Sequence, residues 1–418
     1  MKIVHVVEEF PVPSETFVLN QIAGALDRGH DVEILALQGA ADPELSVHPI
    51  VEQYQLLSRT RFSPRVPANY LERWFTLARS LSKLPTPQQH WQAILQLLNP
   101  VLHGRDALSL RLIYRALPLL SGLDYDIIHC QFGTTALVIL LFKQLGLITG
   151  KLVVSFRGRD ISWAIAQFGD RVYEDLLQVA DAYLPNSQFF AQRVLDLGGD
   201  PNKLSVHRSG IDVRRFAFRP RTRLPQETTR IITIGRLVEK KGIEYAIRAV
   251  ARLARQRPVE YLVVGDGPLR PSLQALVDSL GAGDTIQLVG WKLQDELIEL
   301  LDRSHLLLAP SVTAADGDAD APVNTLKEGM AMGLPTIGTW HGGIPELIRD
   351  GVSGFLVPER DADALFEKLL YLVDRPREWE AMGRAGRREV EATYNMEALN
   401  DELVALYRSL MSIEVSLA

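Results

Sequence analysis

Residues 231–242 have the sequence Ile-Ile-Thr-Ile-Gly-Arg-Leu-Val-Glu-Lys-Lys-Gly. The apolar, β-branched run that ends at Gly235 is typical of a buried strand opening into a loop. Arg236 and Lys241 follow, in a loop or first helical turn that can point both side chains inward. Two fixed cations there could neutralise a diphosphate without a metal. The pattern alone is typical of a solvated basic turn, so the interpretation depends on the acid-rich loop and the helix carrying Glu328 further along the chain.

Composition predicts a globular chain of two domains. The chain has 418 residues, of which 47% are hydrophobic and 23% charged, too many for one ordinary core. A net charge of −6 argues against a general nucleic-acid footprint. The lone Cys130 excludes an intrachain disulfide. The longest apolar stretch, Ala136–Ile148, is too short to span a bilayer, and no secretion signal is visible, so we expect a cytoplasmic protein.

Strand and helix patterns alternate in two series. The first predicts strands at 3–7, 32–37, 127–129, 152–156, 182–184 and 204–207, with helices between them. The second predicts strands at 231–235, 260–264, 286–289, 306–309 and 335–338. Such βαβ units favour parallel sheets with right-handed crossovers. We therefore predict an α/β chain of two doubly wound, Rossmann-like domains.

The predicted domain limits follow from this alternation. Residues 1–215 form the first domain, the proline- and charge-rich residues 216–228 form a linker, and residues 229–395 form the second domain. Residues 396–418 are expected to form a helix that packs back on the first domain.

Residues 48–120 break the alternation and are interpreted as a helical insertion. They carry arginines interleaved with aromatic residues, such as Arg73 beside Trp74 and Phe75. This pattern fits either an ordinary solvated face or a surface that rests on anionic lipid headgroups or holds an acceptor.

Eight motifs, in order and at plausible spacing, resemble the retaining GT-B glycosyltransferases of family 4, in particular enzymes of colanic acid and exopolysaccharide synthesis. They are FPVPSETF at 10–17, SFRGRD at 155–160, NS at 186–187, SGID at 209–212, GRL to KG at 235–242, GDGP at 265–268, EGMAMGLP at 328–335 and GGIPE at 342–346. The resemblance covers nearly the whole chain. It implies two facing Rossmann-like domains with a cleft between them.

The resemblance also implies a donor site in the second domain. Arg236 and Lys241 would hold the diphosphate of a UDP- or GDP-sugar, helped by the backbone N–H groups at Asn324 and Thr325. Glu328 would accept hydrogen bonds from the ribose hydroxyls. Two further residues follow the strand at 286–289, where the family's backbone meets the base: Trp291, which could equally be a core residue, and Lys292.

The chain departs from the family at two catalytic positions. The family's usual glutamate eight residues before the ribose-binding one is Asp320 here, and the displaced Pro322 leaves Asp318 as the other candidate. The family's histidine after the fourth strand, which faces the donor sugar, is replaced by Arg157. The resemblance therefore assigns Asp320, Asp318 and Arg157 to catalysis, with the sugar-facing acid left open between the two aspartates.

The first loop and the histidines have both functional and structural interpretations. The loop Ser14, Glu15 and Thr16 lies where the family approaches the acceptor, and it could also cap the helix predicted near Phe17. Three histidines lie at or just after predicted strand ends, and satisfied structural histidines are more common there than catalysts: His5, His129 and His341.

Metal-binding interpretations of the acidic loop are weak. As a calcium loop starting at Asp316 it has Ala321 where glycine is needed and Lys327 where glutamate is needed. An Asp-x-Asp metal site belongs to a glycosyltransferase fold that would not repeat a Rossmann half. We expect no metal and no cofactor.

The leading hypothesis is a retaining hexosyltransferase that moves a hexose from a nucleoside-diphosphate sugar to a saccharide or lipid-linked saccharide in bacterial cell-surface polysaccharide synthesis. Peripheral contact with the inner face of the plasma membrane would fit such an acceptor. Two alternatives stay open: a sugar-nucleotide epimerase or hydrolase of the same fold, and a non-catalytic sugar-nucleotide-binding subunit.

Overall fold

The computed structural model describes residues 1–12, 15–38, 48–82, 90–224, 227–320 and 323–415, with side chains to residue 412. Its strands form two six-stranded, parallel sheets. The first sheet contains β1 (Lys2–Val7), β2 (Asp31–Ala36), β3 (Thr60–Phe62), β4 (Leu123–Cys130), β5 (Ile148–Phe156) and β6 (Ala182–Pro185). The second contains β7 (Thr229–Ile234), β8 (Val259–Val264), β9 (Ile286–Gly290), β10 (Leu306–Ala309), β11 (Thr336–Thr339) and β12 (Gly354–Val357).

The two sheets have the same topology. Their strand orders are β3-β2-β1-β4-β5-β6 and β12-β11-β10-β7-β8-β9, so that in each sheet the first strand pairs with the second and the fourth. Such a sheet has a crevice beside the carboxyl ends of those strands, where ligands bind in open α/β folds. The prediction of two doubly wound sheets is confirmed.

Seventeen helices with described bounds accompany the sheets. Those of the first half are α1 (Thr16–Asp27), α2 (Pro49–Gln53), α3 (Tyr70–Leu81), α4 (Trp91–Leu97), α5 (Pro100–Leu108), α6 (Arg111–Ala116), α7 (Gly133–Gln144), α8 (Trp163–Phe168), α9 (Glu174–Val179) and α10 (Gln188–Asp196). Those of the second are α11 (Ile243–Ala254), α12 (Arg270–Ser279), α13 (Gln294–Arg303), α14 (Asn324–Ala331), α15 (Ala362–Asp374), α16 (Trp379–Thr393) and α17 (Met396–Val415).

The structure corrects three sequence assignments. Residues 204–207 do not form a strand, because beyond one bridge from Leu204 to Tyr183 the segment only follows the edge of β6. The insertion at 48–120 is mostly helical but also contributes the edge strand β3. In the second sheet, the edge strand β12 was not predicted. Both missed strands are short and lie at sheet edges, where alternating or continuous apolar runs are weakest.

The last helix connects the end of the chain to the first sheet. Leu403 and Tyr407 of α17 are buried in one apolar cluster with Ile3 and Ile127 of β1 and β4. Directly before α17, Asn395 pairs with Ile211 in an isolated β-bridge. The exact domain limits stay a prediction. Across the described ranges, no helix is both long and apolar enough to cross a membrane.

Candidate active site

The loop after β7 brings one of the two predicted cations into contact with an acid. Lys241 Nζ lies 2.7 Å from a carboxylate oxygen of Asp320. Gly242 ends the loop at φ +57°, where a Cβ would collide with the Pro310 carbonyl oxygen, so only glycine fits this turn. Arg236 is exposed, and no hydrogen bond or ion pair joins its guanidinium to a residue of the described ranges. One cation is therefore held in place, and the other is left accessible.

Two aspartates of the acidic loop after β10, Asp318 and Asp320, are buried and paired with two lysines. Besides Lys241, Asp320 accepts a hydrogen bond of 2.9 Å from Ser311 Oγ and lies 3.5 Å from Lys240 Nζ. Asp318 lies 3.0 Å from the same Lys240. Burial by itself would raise the pKa of Asp320, but the two lysines outweigh it and hold that pKa below its usual range. Asp320 is therefore an ionised carboxylate at neutral pH.

A histidine fixes the backbone of the acidic loop. The Asp320 backbone N–H donates to His341 Nε2 at 2.9 Å, and His341 Nδ1 lies 2.6 Å from Glu359. Accepting at Nε2 places the proton on Nδ1, which can donate to Glu359. His341 is thus a structural support of the loop, as the commoner interpretation of a lone histidine has it. His5 and His129 are buried on the paired central strands β1 and β4 of the first sheet, and the Gln131 side chain contacts both rings.

The acidic loop also contacts the first half of the chain. Ser162 Oγ lies 3.3 Å from Asp318 Oδ1 and accepts from the Ala319 backbone N–H at 3.3 Å. Ser162 precedes α8, close to the carboxyl end of β5. The carboxyl edges of the two sheets therefore meet at this loop.

Arg157, at the end of β5, points into the protein interior. Its guanidinium donates to the Gln131 side-chain oxygen at 2.7 Å, to Gln21 Oε1 at 3.1 Å and to Ser209 Oγ at 3.2 Å, and it stacks over the Phe17 ring. Burial lowers the pKa of Arg157 to about 10, against the opposing charge of Asp160. The side chain is 8% exposed. A residue held on so many neutral acceptors is fixed in position and stays charged.

The predicted acceptor loop lies beside this arginine. Glu15 is half-buried, and burial raises the pKa of its carboxyl to about 7 although the charge of Arg157 opposes that rise. α1 begins at Thr16, and Glu15 occupies its N-cap position without a side-chain hydrogen bond to the helix. The Glu15 side chain therefore does not cap α1. Ser14 lies outside the described residues.

Helix α14 carries the residues that are predicted to contact the ribose and the phosphates. Thr325 Oγ1 donates to the Ile234 carbonyl at 3.2 Å, which ties the start of the helix to the end of β7. Asn324 accepts from Lys327 Nζ at 3.0 Å. Burial raises the pKa of Glu328 to about 7, although Lys327 and Arg215 oppose the rise. A hydrogen-bond donor brought by a ligand would favour the ionised form.

Three residues of the candidate site were not predicted from the sequence. Lys240 bridges both aspartates, and the adjacent predicted Lys241 was its only signal. Ser162 links the acidic loop to the first half. Lys327 is buried and donates to the Ser209 carbonyl at 2.8 Å, and burial lowers its pKa to about 7. A lysine on a helix next to a glutamate gives no sign in sequence that it faces inward.

The loop after β9 lies on the surface. Trp291 is 60% exposed and so is not a core residue. Lys292, which is half-buried, pairs with Glu296 at 3.0 Å. The Trp291 ring is therefore open to solvent, whereas the Lys292 ammonium is engaged in an ion pair. In the ranges that the structure describes, no group of three or more His, Cys, Asp or Glu side chains could hold a metal ion.

Both halves of the chain match known families. Residues 14–215 match the model of Glycosyltransferase Family 4, and residues 214–389 match that of Glycosyl transferases group 1. WcaL of Escherichia coli K12, named for colanic acid biosynthesis, is 34% identical over 413 residues, which cover 98% of this chain and 100% of WcaL. The amylovoran biosynthesis glycosyltransferase AmsK of Erwinia amylovora is 33% identical over 414 residues, with the same coverage. This chain belongs to the family 4, group 1 glycosyltransferases.

Solved structures share the fold. HepE of Anabaena, crystallised with UDP and glucose, superposes with a TM-score of 0.71 at 17% identity, covering 98% of this chain and 100% of HepE. Sucrose-phosphate synthase of Thermosynechococcus elongatus gives a TM-score of 0.71 at 19% identity, covering 99% and 100% of the two chains. The GT-B fold expected from the motifs is confirmed.

Proposed function

We propose that this glycosyltransferase moves a hexose from a UDP- or GDP-sugar to a saccharide or lipid-linked saccharide, with retention of anomeric configuration, in bacterial exopolysaccharide synthesis. The names of WcaL and AmsK support the pathway, and the UDP and glucose bound to HepE support a nucleotide-sugar donor. Retention follows from the family resemblance.

The contact between Lys241 and Asp320 carries the proposal. An ammonium group has three donors, and Asp320 takes one of them, so Lys241 can hold an acid on one side and a phosphate oxygen on the other. A cation that would bind the diphosphate would then lie beside an ionised acid that would face the sugar. That pairing is what cleavage between sugar and phosphate needs, because negative charge grows on the departing phosphate while positive charge grows on the sugar ring.

The rest of the donor would lie around this pair. Arg236 is accessible to clamp the diphosphate with its planar fork. As first-turn groups, the N–H groups of Asn324 and Thr325 lack intrahelical acceptors and would face the same phosphates. Glu328 would accept from the ribose, and Trp291 would stack on the base.

No metal is required by this arrangement, because Arg236, Lys241 and the start of α14 supply the positive charge. We therefore expect full turnover in excess EDTA. Loss of activity in EDTA, restored by magnesium or manganese, would contradict the metal-free mechanism.

A thermal-shift screen with UDP-, GDP- and ADP-sugars tests the proposed donor class. A ligand that binds only the folded state raises the melting temperature. We expect one nucleotide class to do so, and the same donor then to support transfer to a polyprenyl-linked saccharide with retention, assigned by NMR. No shift with any nucleotide sugar would contradict the donor site. Free sugar or an epimer formed without acceptor would favour the alternative reactions.

A further inference from the structure

The outer side of α3 is apolar, which is unusual for a helix on a protein surface. Leu71, Phe75 and Ala78 recur at helical spacing on the exposed side, where Leu71 is 78% exposed and Phe75 is 72% exposed. Trp74 lies beside them and is 43% exposed. Only Leu77 of this helix is buried in the core. The larger apolar side of α3 therefore faces outward.

The neighbouring helices of the insertion also expose apolar side chains. Arg73 Nη1 donates to the Ser109 carbonyl, at the end of α5, at 2.9 Å, and Tyr114 of α6 donates to the Arg73 carbonyl at 2.7 Å, which fixes α3 beside them. α4 and α5 also expose large apolar side chains: Trp91, Leu95, Val101, Leu102 and Leu108. So many large exposed apolar side chains in one segment of the chain are typical of a contact site.

The net positive charge of the insertion indicates a partner of negative charge. Residues 48–120 contain nine Lys and Arg against three Asp and Glu, a net charge of +6 in a chain of −6, so the remaining residues sum to −12. Arg61 and Arg115 pair with acids of the first half, whereas Arg79, Arg105 and Arg111 lie exposed. Arg79 follows Phe75 by one helical turn, so a cation borders the apolar side directly.

We propose that the exposed sides of α3, α4 and α5 form a docking surface for an anionic lipid bilayer. Aromatic and aliphatic side chains would enter the boundary between headgroups and acyl chains, while the arginines pair with lipid phosphates. A second copy of the chain fits less well, because two surfaces of the same positive charge repel each other. The acidic remainder of the protein would be repelled from the bilayer, which orients the insertion toward it.

Vesicle sedimentation of the full chain tests this surface, and it needs neither donor nor acceptor, so its result is independent of the proposed function. The wild-type protein should sediment with vesicles that contain phosphatidylglycerol, less so at high salt, and little with phosphatidylcholine alone. Leu71→Asp/Phe75→Asp should lower the partition coefficient at least about tenfold. Leu224→Asp/Val352→Asp adds the same charge at two exposed apolar positions outside the surface and should leave partitioning unchanged.

Melting temperatures check that both double variants fold, as expected for exposed positions. Failure of the wild-type protein to bind anionic vesicles would overturn the proposal, as would an equal loss in the two double variants. A wild-type dimer that becomes monomeric in Leu71→Asp/Phe75→Asp, without any lipid binding, would assign the surface to a second copy instead.

Discussion

The carboxyl edges of the two sheets have the same topology and opposite chemistry. At the edge of the second sheet, Lys240 and Lys241 are matched by Asp318 and Asp320. At the edge of the first, the Arg157 guanidinium donates its side-chain hydrogen bonds to neutral amide and hydroxyl oxygens. Paired opposite charges can exchange partners when a charged ligand arrives, whereas a cation bound by many neutral acceptors is fixed. We infer that the edge of the second sheet binds the charged groups of the ligand and that the edge of the first sheet forms a rigid side of the cleft.

Removal of Lys241 should have the largest effect. Lys241→Ala takes away the donor that stabilises the departing diphosphate, so kcat should fall about 100- to 1,000-fold. Steady-state kinetics at saturating donor measure the change. Arg303→Ala, which removes a cation from an exposed pair on α13, is the control and should stay within twofold of wild type. A near-normal rate in folded Lys241→Ala would break the contrast between the two edges.

Neutralising the acids one at a time distinguishes their roles. Asp320→Asn keeps the shape but loses a charged acceptor, so kcat should fall about 10- to 100-fold, the value of a hydrogen bond to a charged group. Asp318→Asn should be mild, because that acid contacts Lys240 and Ser162 rather than Lys241. The reverse order would assign the sugar to Asp318, and no effect from either would remove the loop from catalysis.

Arg157→Lys tests the rigidity of the first edge. Lysine has three donors in place of five and no planar fork, so some buried oxygens would lose their partners. The free energy of unfolding should fall by about 1–3 kcal/mol in chemical denaturation. Arg159→Lys is the matched control: that neighbouring arginine is exposed and should change stability by less than about 0.5 kcal/mol. Unchanged stability in Arg157→Lys would mean that this cation is not structural.

The smallest expected effect is a pH dependence of donor affinity. The pKa of Glu328 is about 7 without ligand, and only its ionised form accepts from two ribose hydroxyls. Donor affinity should therefore rise as pH increases through 7, by up to about tenfold between pH 6 and 8. Calorimetric titration measures it. The dependence should disappear in Glu328→Gln, and its persistence there would assign it to another carboxyl that ionises over the same range, such as Glu15.

The sequence predicted the sheets better than the site. Buried parallel strands are continuous apolar runs, so strands such as β7 and β8 are visible locally, whereas β3, with the sequence Thr60-Arg61-Phe62, is short and half-exposed. Motif spacing selected Arg236, Lys241 and Glu328 as candidates. The bond from Lys241 to Asp320 spans 79 positions, and the acceptors of Arg157 come from distant segments. Contacts of that kind depend on the tertiary fold and leave no periodic signal.

The most direct test compares the binding of a nucleoside diphosphate with that of its nucleoside, with UDP and uridine or GDP and guanosine as the donor screen directs. We predict that wild type prefers the diphosphate over the nucleoside by about 100-fold or more, since two cations and the start of α14 would face it. Arg236→Ala, at an exposed position where folding should be unaffected, should lose most of that preference while nucleoside affinity stays constant. An equal preference in wild type and Arg236→Ala would contradict the assignment of the second sheet's edge to the diphosphate.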